Sequence, residues 1–139
     1  MKSQVLTLEN VIFFSLGIIL VLMVYFTFTS VSQEIKKISI EEGVKKTAEF
    51  ISYNINKVYR IGNLTNSTIE LFIPIPEKIC GEIYRISQEN GIIFLHLLKY
   101  NIKSNITLYG IEANLKYRQI PSSKKALIIK YSNGMVEIK

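Results

Sequence analysis

Residues Val11 to Val31, VIFFSLGIILVLMVYFTFTSV, form an uncharged run of twenty-one residues close to the start of the 139-residue chain. As a helix rising about 1.5 Å per residue, such a run crosses the roughly 30 Å hydrocarbon layer of a bilayer. Its hydroxyl groups can bond back to the helix backbone, so nothing polar in it demands water. A secretory signal is the competing reading, because Lys2 precedes the run and Ser30-Val31-Ser32 loosely imitates a small-x-small cleavage site. Cleaved signals have apolar regions of about 7 to 15 residues, and this one is longer and richer in Phe, Ile and Leu. A retained transmembrane helix is therefore expected, with the lipid bilayer as its first partner. About 108 further residues cannot wrap a helix that is apolar on every side.

The composition changes after the run. Lys2 and Glu9 precede it and cancel, so the formal charge of +6 belongs to the residues beyond Val31, where 16 Lys and Arg face 10 Glu. The basic residues are scattered, and only Lys36-Lys37, Lys45-Lys46 and Lys124-Lys125 are adjacent. A nucleic-acid binder concentrates its cations on one face with interleaved aromatics, and that pattern is missing here. Solvation, or weak attraction to anionic headgroups, accounts better for the pairs.

Between Ser32 and Ile61 the apolar positions Ile35, Ile38, Val44, Ala48, Ile51, Ile55 and Val58 recur at helical spacing, with Lys and Glu between them. Gly62 stands where a left-handed residue would end the helix. Ser39 and Glu42 fit a capping box, which leaves open whether the membrane helix breaks near Ile38 and restarts. The stripe requires a partner, either the β-rich part of the same chain or a neighbouring subunit's helix.

From Thr68 the period falls to two. Ile69, Leu71 and Ile73 alternate with Glu70 and Phe72 until Pro74 and Pro76 close the strand. Further strands are expected at Glu82 to Ser87, Ile92 to Leu98, Asn105 to Tyr109, Ala113 to Arg118, Ala126 to Tyr131 and Met135 to Lys139. Asn90-Gly91 and Asn133-Gly134 are hairpin signals favouring type I′ turns. The fold class is α+β: a transmembrane helix extended by an amphipathic helix, then a small, mostly antiparallel domain of about six strands. The segments are 1–10, a short basic leader; 11–31, the transmembrane helix; 32–62, the amphipathic helix; and 63–139, the β-rich domain, with Gly62 to Ser67 as the boundary loop.

Catalytic chemistry finds little to work with. A metal centre needs several converging ligands, whereas the chain has one His, one Cys and no Asp. His96 reads as a strand residue that faces solvent or bonds within the fold. Cys80 has no disulfide partner and reads as a buried or inert thiol. Glu41, Glu42 and Glu49 share a helical stretch with Lys45 and Lys46, so a solvated salt-bridge face explains them better than a catalytic carboxylate pair. The glycines lack the spacing of a phosphate-binding loop. No catalytic, metal-binding or cofactor-binding residue is expected, and no cofactor.

Three Asn-x-Thr sequences occur, at Asn63, Asn66 and Asn105, all after the apolar run. They are candidate N-glycosylation acceptors, a chemistry found outside the cell membrane. Lys36, Lys37, Lys45 and Lys46 argue for the opposite orientation by the positive-inside rule. Long domains translocate largely regardless of charge, and the C-terminal domain is expected outside.

The opening residues Lys2-Ser3-Gln4-Val5-Leu6-Thr7-Leu8-Glu9, followed at once by the apolar helix, resemble archaeal prepilins with a class III signal peptide. The resemblance covers about eight residues. It implies a basic leader ending at Ser3, Gln4 as the first mature residue and Glu9 as the acidic residue of the helix head. Ser3 replaces the usual small Ala or Gly, and Glu9 stands one position further from Gln4 than the family spacing. It also implies a prepilin peptidase as processing partner, with copies of the chain or other pilin-like subunits as assembly partners. Glu9 would then neutralise a neighbour's amino group, or sit at a helix N-terminus where its charge suits the dipole. The expected function is a single-pass, pilin-like structural or interaction protein of the archaeal envelope. The alternative is a non-assembling bitopic accessory protein whose β-domain binds a partner in a secretion or motility complex.

Overall fold

The computed structural model describes residues 2–89, 92–108, 110–111, 115–117 and 119–139. One helix, α1 (Lys2–Thr65), is followed by eight strands. They are β1 (Ile69–Pro74), β2 (Tyr84–Glu89), β3 (Ile92–Leu97), β4 (Ile102–Ile106), β5 (Leu115–Tyr117), β6 (Ile120–Pro121), β7 (Ala126–Ser132) and β8 (Met135–Ile138). The chain divides into two compact units, Met1–Ile38 and Ser39–Lys139.

In the first unit the apolar side chains from Leu8 to Phe28 are between 46% and 74% exposed. This stretch is long and apolar enough to cross a membrane, and none of it is covered by the rest of the chain. Three of its hydroxyls bond back to the helix: Ser15 donates to the Val11 carbonyl at 2.8 Å, Thr27 to Met23 at 2.8 Å and Thr29 to Tyr25 at 2.9 Å. Each bond spans one helical turn, so these groups make no demand on a partner outside the helix.

The second unit closes its own core. Ile40, Val44, Ala48, Ile51, Ile55 and Val58 are buried at spacings of three and four along α1. The expected stripe is therefore present from Val44 to Val58, but its start is corrected. Ile35 is 62% exposed and Ile38 also lies open, while Ile40 is 1% exposed. Ser39 lies inside α1, so it does not cap a restarted helix.

Gly62 is likewise not the helix end. α1 runs on to Thr65, and the left-handed residue is Asn66, at φ 51°. Gly62 is small for another reason: the Tyr131 ring lies where its Cβ would be, closer than any side chain tolerates. The expected boundary loop is thus mostly the last turn of the helix.

The strands form two four-stranded sheets, ordered β1-β7-β8-β5 and β4-β3-β2-β6. All neighbours are antiparallel except β5 with β8. In β1 the inward residues are Ile69, Leu71 and Ile73, as the alternation requires. Tyr84 and Ile86 are buried and Ile83 is exposed. Asn133 and Gly134, at φ 49° and 79°, make the turn between β7 and β8 with positive φ at both central positions. Asn90-Gly91 lies outside the described residues, but Glu89 pairs with Ile92 across it.

Two strands sit elsewhere than expected: β2 runs from Tyr84 to Glu89 rather than from Glu82 to Ser87, and β4 is also displaced. β4 begins at Ile102 rather than Asn105 and ends at Ile106; Tyr109 lies outside the described residues. β5 is seen at Leu115–Tyr117, and the expected ends of that strand, Ala113, Asn114 and Arg118, lie outside the described residues. β6 carries no strand signal of its own, because its two residues end in a proline, which cannot donate to a ladder.

Candidate functional site

A concavity of the folded unit lies where α1 meets the end of β4. Ser52 and Thr107 close its floor: the Ser52 hydroxyl donates to the Thr107 carbonyl, and Ser52 is 7% exposed. Asn56 Nδ2 reaches the same carbonyl at 3.4 Å and the Ser52 carbonyl at 2.8 Å. A carbonyl left beyond the last ladder pair of β4 is thus satisfied by helix side chains, which holds strand end and helix together. After it the chain buries Leu108 and Ile111, joined by a 3.3 Å bond from the Ile111 amide to the Leu108 carbonyl.

Glu49, Tyr53, Tyr59, Arg60 and Asn105 complete the walls of a groove of about 540 Å³. Tyr59 is braced edge-on against Tyr131, with ring centres 6.0 Å apart. Tyr53 is 65% exposed. A second groove of about 330 Å³ shares Tyr53, Asn56 and Arg60 and continues over Lys57, Ile61 and Leu64. Neither Glu49 nor Arg60 has an ion-pair or hydrogen-bond partner among the described residues. The walls therefore offer one free guanidinium, one free carboxylate and the polar atoms of two tyrosines and two amides. Such a set binds polar ligands; it contains no nucleophile held by a base.

The residues singled out from sequence are dispersed. Ser3 and Gln4 lie in the first turns of α1, and Glu9 is exposed on the same helix. α1 has no acidic residue in its first turn, and Glu9 stands beyond that turn. Asn63 and Asn66 are exposed at the end of α1, and Asn105 is exposed on β4. Only Asn105 joins the groove.

His96 bonds within the fold, its Nε2 lying 3.1 Å from Asn101 Oδ1. Cys80 is exposed, which corrects the expectation of burial; its thiol faces the Ser39 carbonyl at 3.8 Å from a turn with φ 50°. Glu42 pairs with Lys46 at 3.7 Å, both well exposed, as a solvated helix face requires. Among the described residues no cluster of His, Cys, Asp or Glu has the makings of a metal site.

Perturbed ionisations lie away from the groove. Burial pushes Tyr84 up to about 12, and its hydroxyl donates to the Pro76 carbonyl at 2.6 Å. Burial likewise pushes Tyr117 up to about 12, with opposing effects from the Ile120 amide and Arg85. Its hydroxyl donates to the Ile86 carbonyl. Lys99 and Lys125 are raised by hydrogen bonds to Glu82 and Glu77 at the surface.

The groove residues do not stand out from the sequence, although a signal exists. Glu49, Ser52, Tyr53, Asn56, Tyr59 and Arg60 recur at helical spacing beside the core stripe, and so share one flank of α1. No protein family, curated protein or solved structure matches the chain.

Proposed function

We propose that this chain is a single-pass membrane protein of the pilin-like kind, with its β-domain outside the cell and a structural or interaction role in an archaeal envelope. The observation that carries the proposal is the contrast within α1. From Ile40 to Val58 one apolar stripe is buried in its own domain, while the apolar side chains from Leu8 to Phe28 are exposed all round. An all-round apolar surface needs an apolar phase, and two can serve it: the bilayer, or copies of the same helix packed together. A pilin-like subunit uses both in turn. The opening sequence Lys2 to Glu9 supports this reading through its likeness to class III leaders, with Ser3-Gln4 as the processing junction and a prepilin peptidase as processing partner. The role is structural rather than catalytic, and the surface chemistry suits polar partners, not nucleic acid.

The experiment is to shear cells, collect surface filaments and determine the N-terminal residue of this chain in filaments and membranes. The proposal expects Gln4 or Val5 at the N-terminus and the chain in both fractions. Glu9→Ala should leave the protein folded and membrane-bound but reduce its share in filaments. Full-length protein confined to membranes of filament-bearing cells would overturn assembly and favour the non-assembling accessory protein. Release of the wild-type chain by alkaline carbonate would overturn the anchor itself.

A further inference from the structure

The groove beside β4 contains one of the three Asn-x-Thr sequences in its own wall, since both Asn105 and Thr107 line it. The three acceptors are not equivalent. For Asn63 the sequence's hydroxyl is occupied, because Thr65 donates to the Ile61 carbonyl at 2.8 Å. Asn66 comes after the helix end at positive φ, and neither groove includes it. Asn105 is exposed on a strand at the edge of its sheet. Neither its amide nor the Thr107 hydroxyl has a partner among the described residues. What is bound is the Thr107 main chain, through Ser52 and Asn56. The backbone of this acceptor is held while its side chains stay free.

We propose that Asn105 carries an N-linked glycan whose first sugars lie in the groove. The proposal rests on the extracytoplasmic reading of the β-domain. In the attachment step the Asn105 amide nitrogen bonds to the anomeric carbon of a lipid-phosphate-linked oligosaccharide. The bond from that carbon to the phosphate oxygen breaks, the lipid phosphate leaves as an anion, and an amide proton passes to a base of the transferase. No oxidation or reduction is involved.

The walls suit a sugar. A pyranose has apolar C–H faces and a rim of hydroxyls, and the groove sets the Tyr53 and Tyr59 rings beside groups that donate and accept. Arg60 supplies donors only, Glu49 acceptors only, and Asn56 an amide oxygen. Glu49 and Arg60 stand about 16 Å apart along the helix at about 1.5 Å per residue, so the groove has length as well as depth. A volume of about 540 Å³ lies within the range of roughly 300–1,000 Å³ typical of small-ligand sites. Attachment through Asn105 fixes the sugar at an effective concentration on the order of millimolar, so weak contacts suffice to seat it.

The test uses the native protein from membranes of the source cells. Peptide mass spectrometry reads the occupancy of Asn63, Asn66 and Asn105, and hydroxyl-radical footprinting reads the accessibility of Tyr53 and Tyr59. Both are repeated on Thr107→Ala, which removes the acceptor sequence but keeps the carbonyl that Ser52 and Asn56 hold. Asn105→Gln is the second variant should the first fail to fold. The expected result is a glycan on Asn105 and a severalfold rise in oxidation of Tyr53 and Tyr59 when it is lost.

A bare Asn105 beside a glycosylated Asn63 or Asn66 overturns the proposal and leaves the extracytoplasmic reading standing. If all three are bare the proposal also falls, and protease accessibility in intact cells decides the orientation separately. A glycan on Asn105 that leaves both tyrosines unchanged overturns its seating in the groove. If Asn105 is bare but oligosaccharide released from the same membranes protects both tyrosines, the saccharide arrives free, and the covalent part is overturned.

Discussion

The two stretches of α1 differ both in how apolar they are and in how their apolar residues are arranged. From Leu8 to Phe28 hydrocarbon surrounds the helix and all of it is exposed. From Ile40 to Val58 it occupies one stripe, and that stripe is closed over by two sheets. A stripe can be satisfied by one's own chain; a full circumference needs a surrounding phase. The same backbone conformation thus serves two solvents, and arrangement decides which.

The strongest way to break this comparison is to remove residues 1–38. The remaining 101 residues should fold with a cooperative thermal transition, because their core contains none of the deleted side chains, while membrane attachment should vanish entirely. Random-coil circular dichroism from this fragment would mean that the Ile40–Val58 stripe depends on the apolar segment after all.

Single core changes come next. Ile55→Ala should cost about 2–5 kcal/mol of unfolding free energy, since Ile55 is fully buried against the sheets. Leu20→Ala, at an exposed position in the other stretch, should leave the same denaturation midpoint unmoved. Equal effects at the two positions would erase the distinction. Gly62→Ala tests the closest approach of helix and sheet. A methyl group there meets the Tyr131 ring, and overpacking should cost about 1–3 kcal/mol. Gly17→Ala, where nothing lies nearby, should show no such penalty.

The smallest effect is alkaline. Tyr84 and Tyr117 hold their protons in the folded state up to about 12, while an unfolded tyrosine loses its proton near 10. Above pH 10 the unfolded chain binds fewer protons than the folded one, so stability falls as pH rises toward 12. The surface lysines act in the same direction: each is raised by its glutamate, so its contribution holds below the usual lysine value and is lost as pH rises above it. Thermal midpoints between pH 9 and 12 should decline, and less steeply in Tyr84→Phe and Tyr117→Phe.

Much of the architecture is legible in the sequence because it is local. Alternation in Ile69, Leu71 and Ile73, the helical stripe through Val44, Ala48, Ile51, Ile55 and Val58, and the Asn133-Gly134 turn are all written within a few residues. The errors lie where distant parts of the chain decide. Gly62 has the look of a helix terminator, but its smallness answers to Tyr131, far along the chain. β5 lies parallel to β8, a pairing that no neighbouring residue announces. Ile35 and Ile38 continue the stripe by spacing, yet neither is buried. The helix wall of the groove leaves a trace in the sequence, but its strand wall does not, since Asn105 and Arg60 come to line one groove only after helix and sheet have packed.

The pairing of β1 with β7 has a consequence in time. Ile69 finds its partner in Tyr131 and Pro74 in Ala126, so the first strand synthesised is completed almost by the last. β2, β3 and β4, by contrast, form a meander whose members pair as they emerge. Synthesis proceeds from the N-terminus, so the apolar segment is available to a membrane well before the first sheet can close. For most of that interval β1 is an unpaired edge, and the long loop that must be drawn together makes its pairing the slow event of folding. A ribosome stalled before Ala126 would leave a chain whose apolar segment is complete and whose first sheet still cannot close.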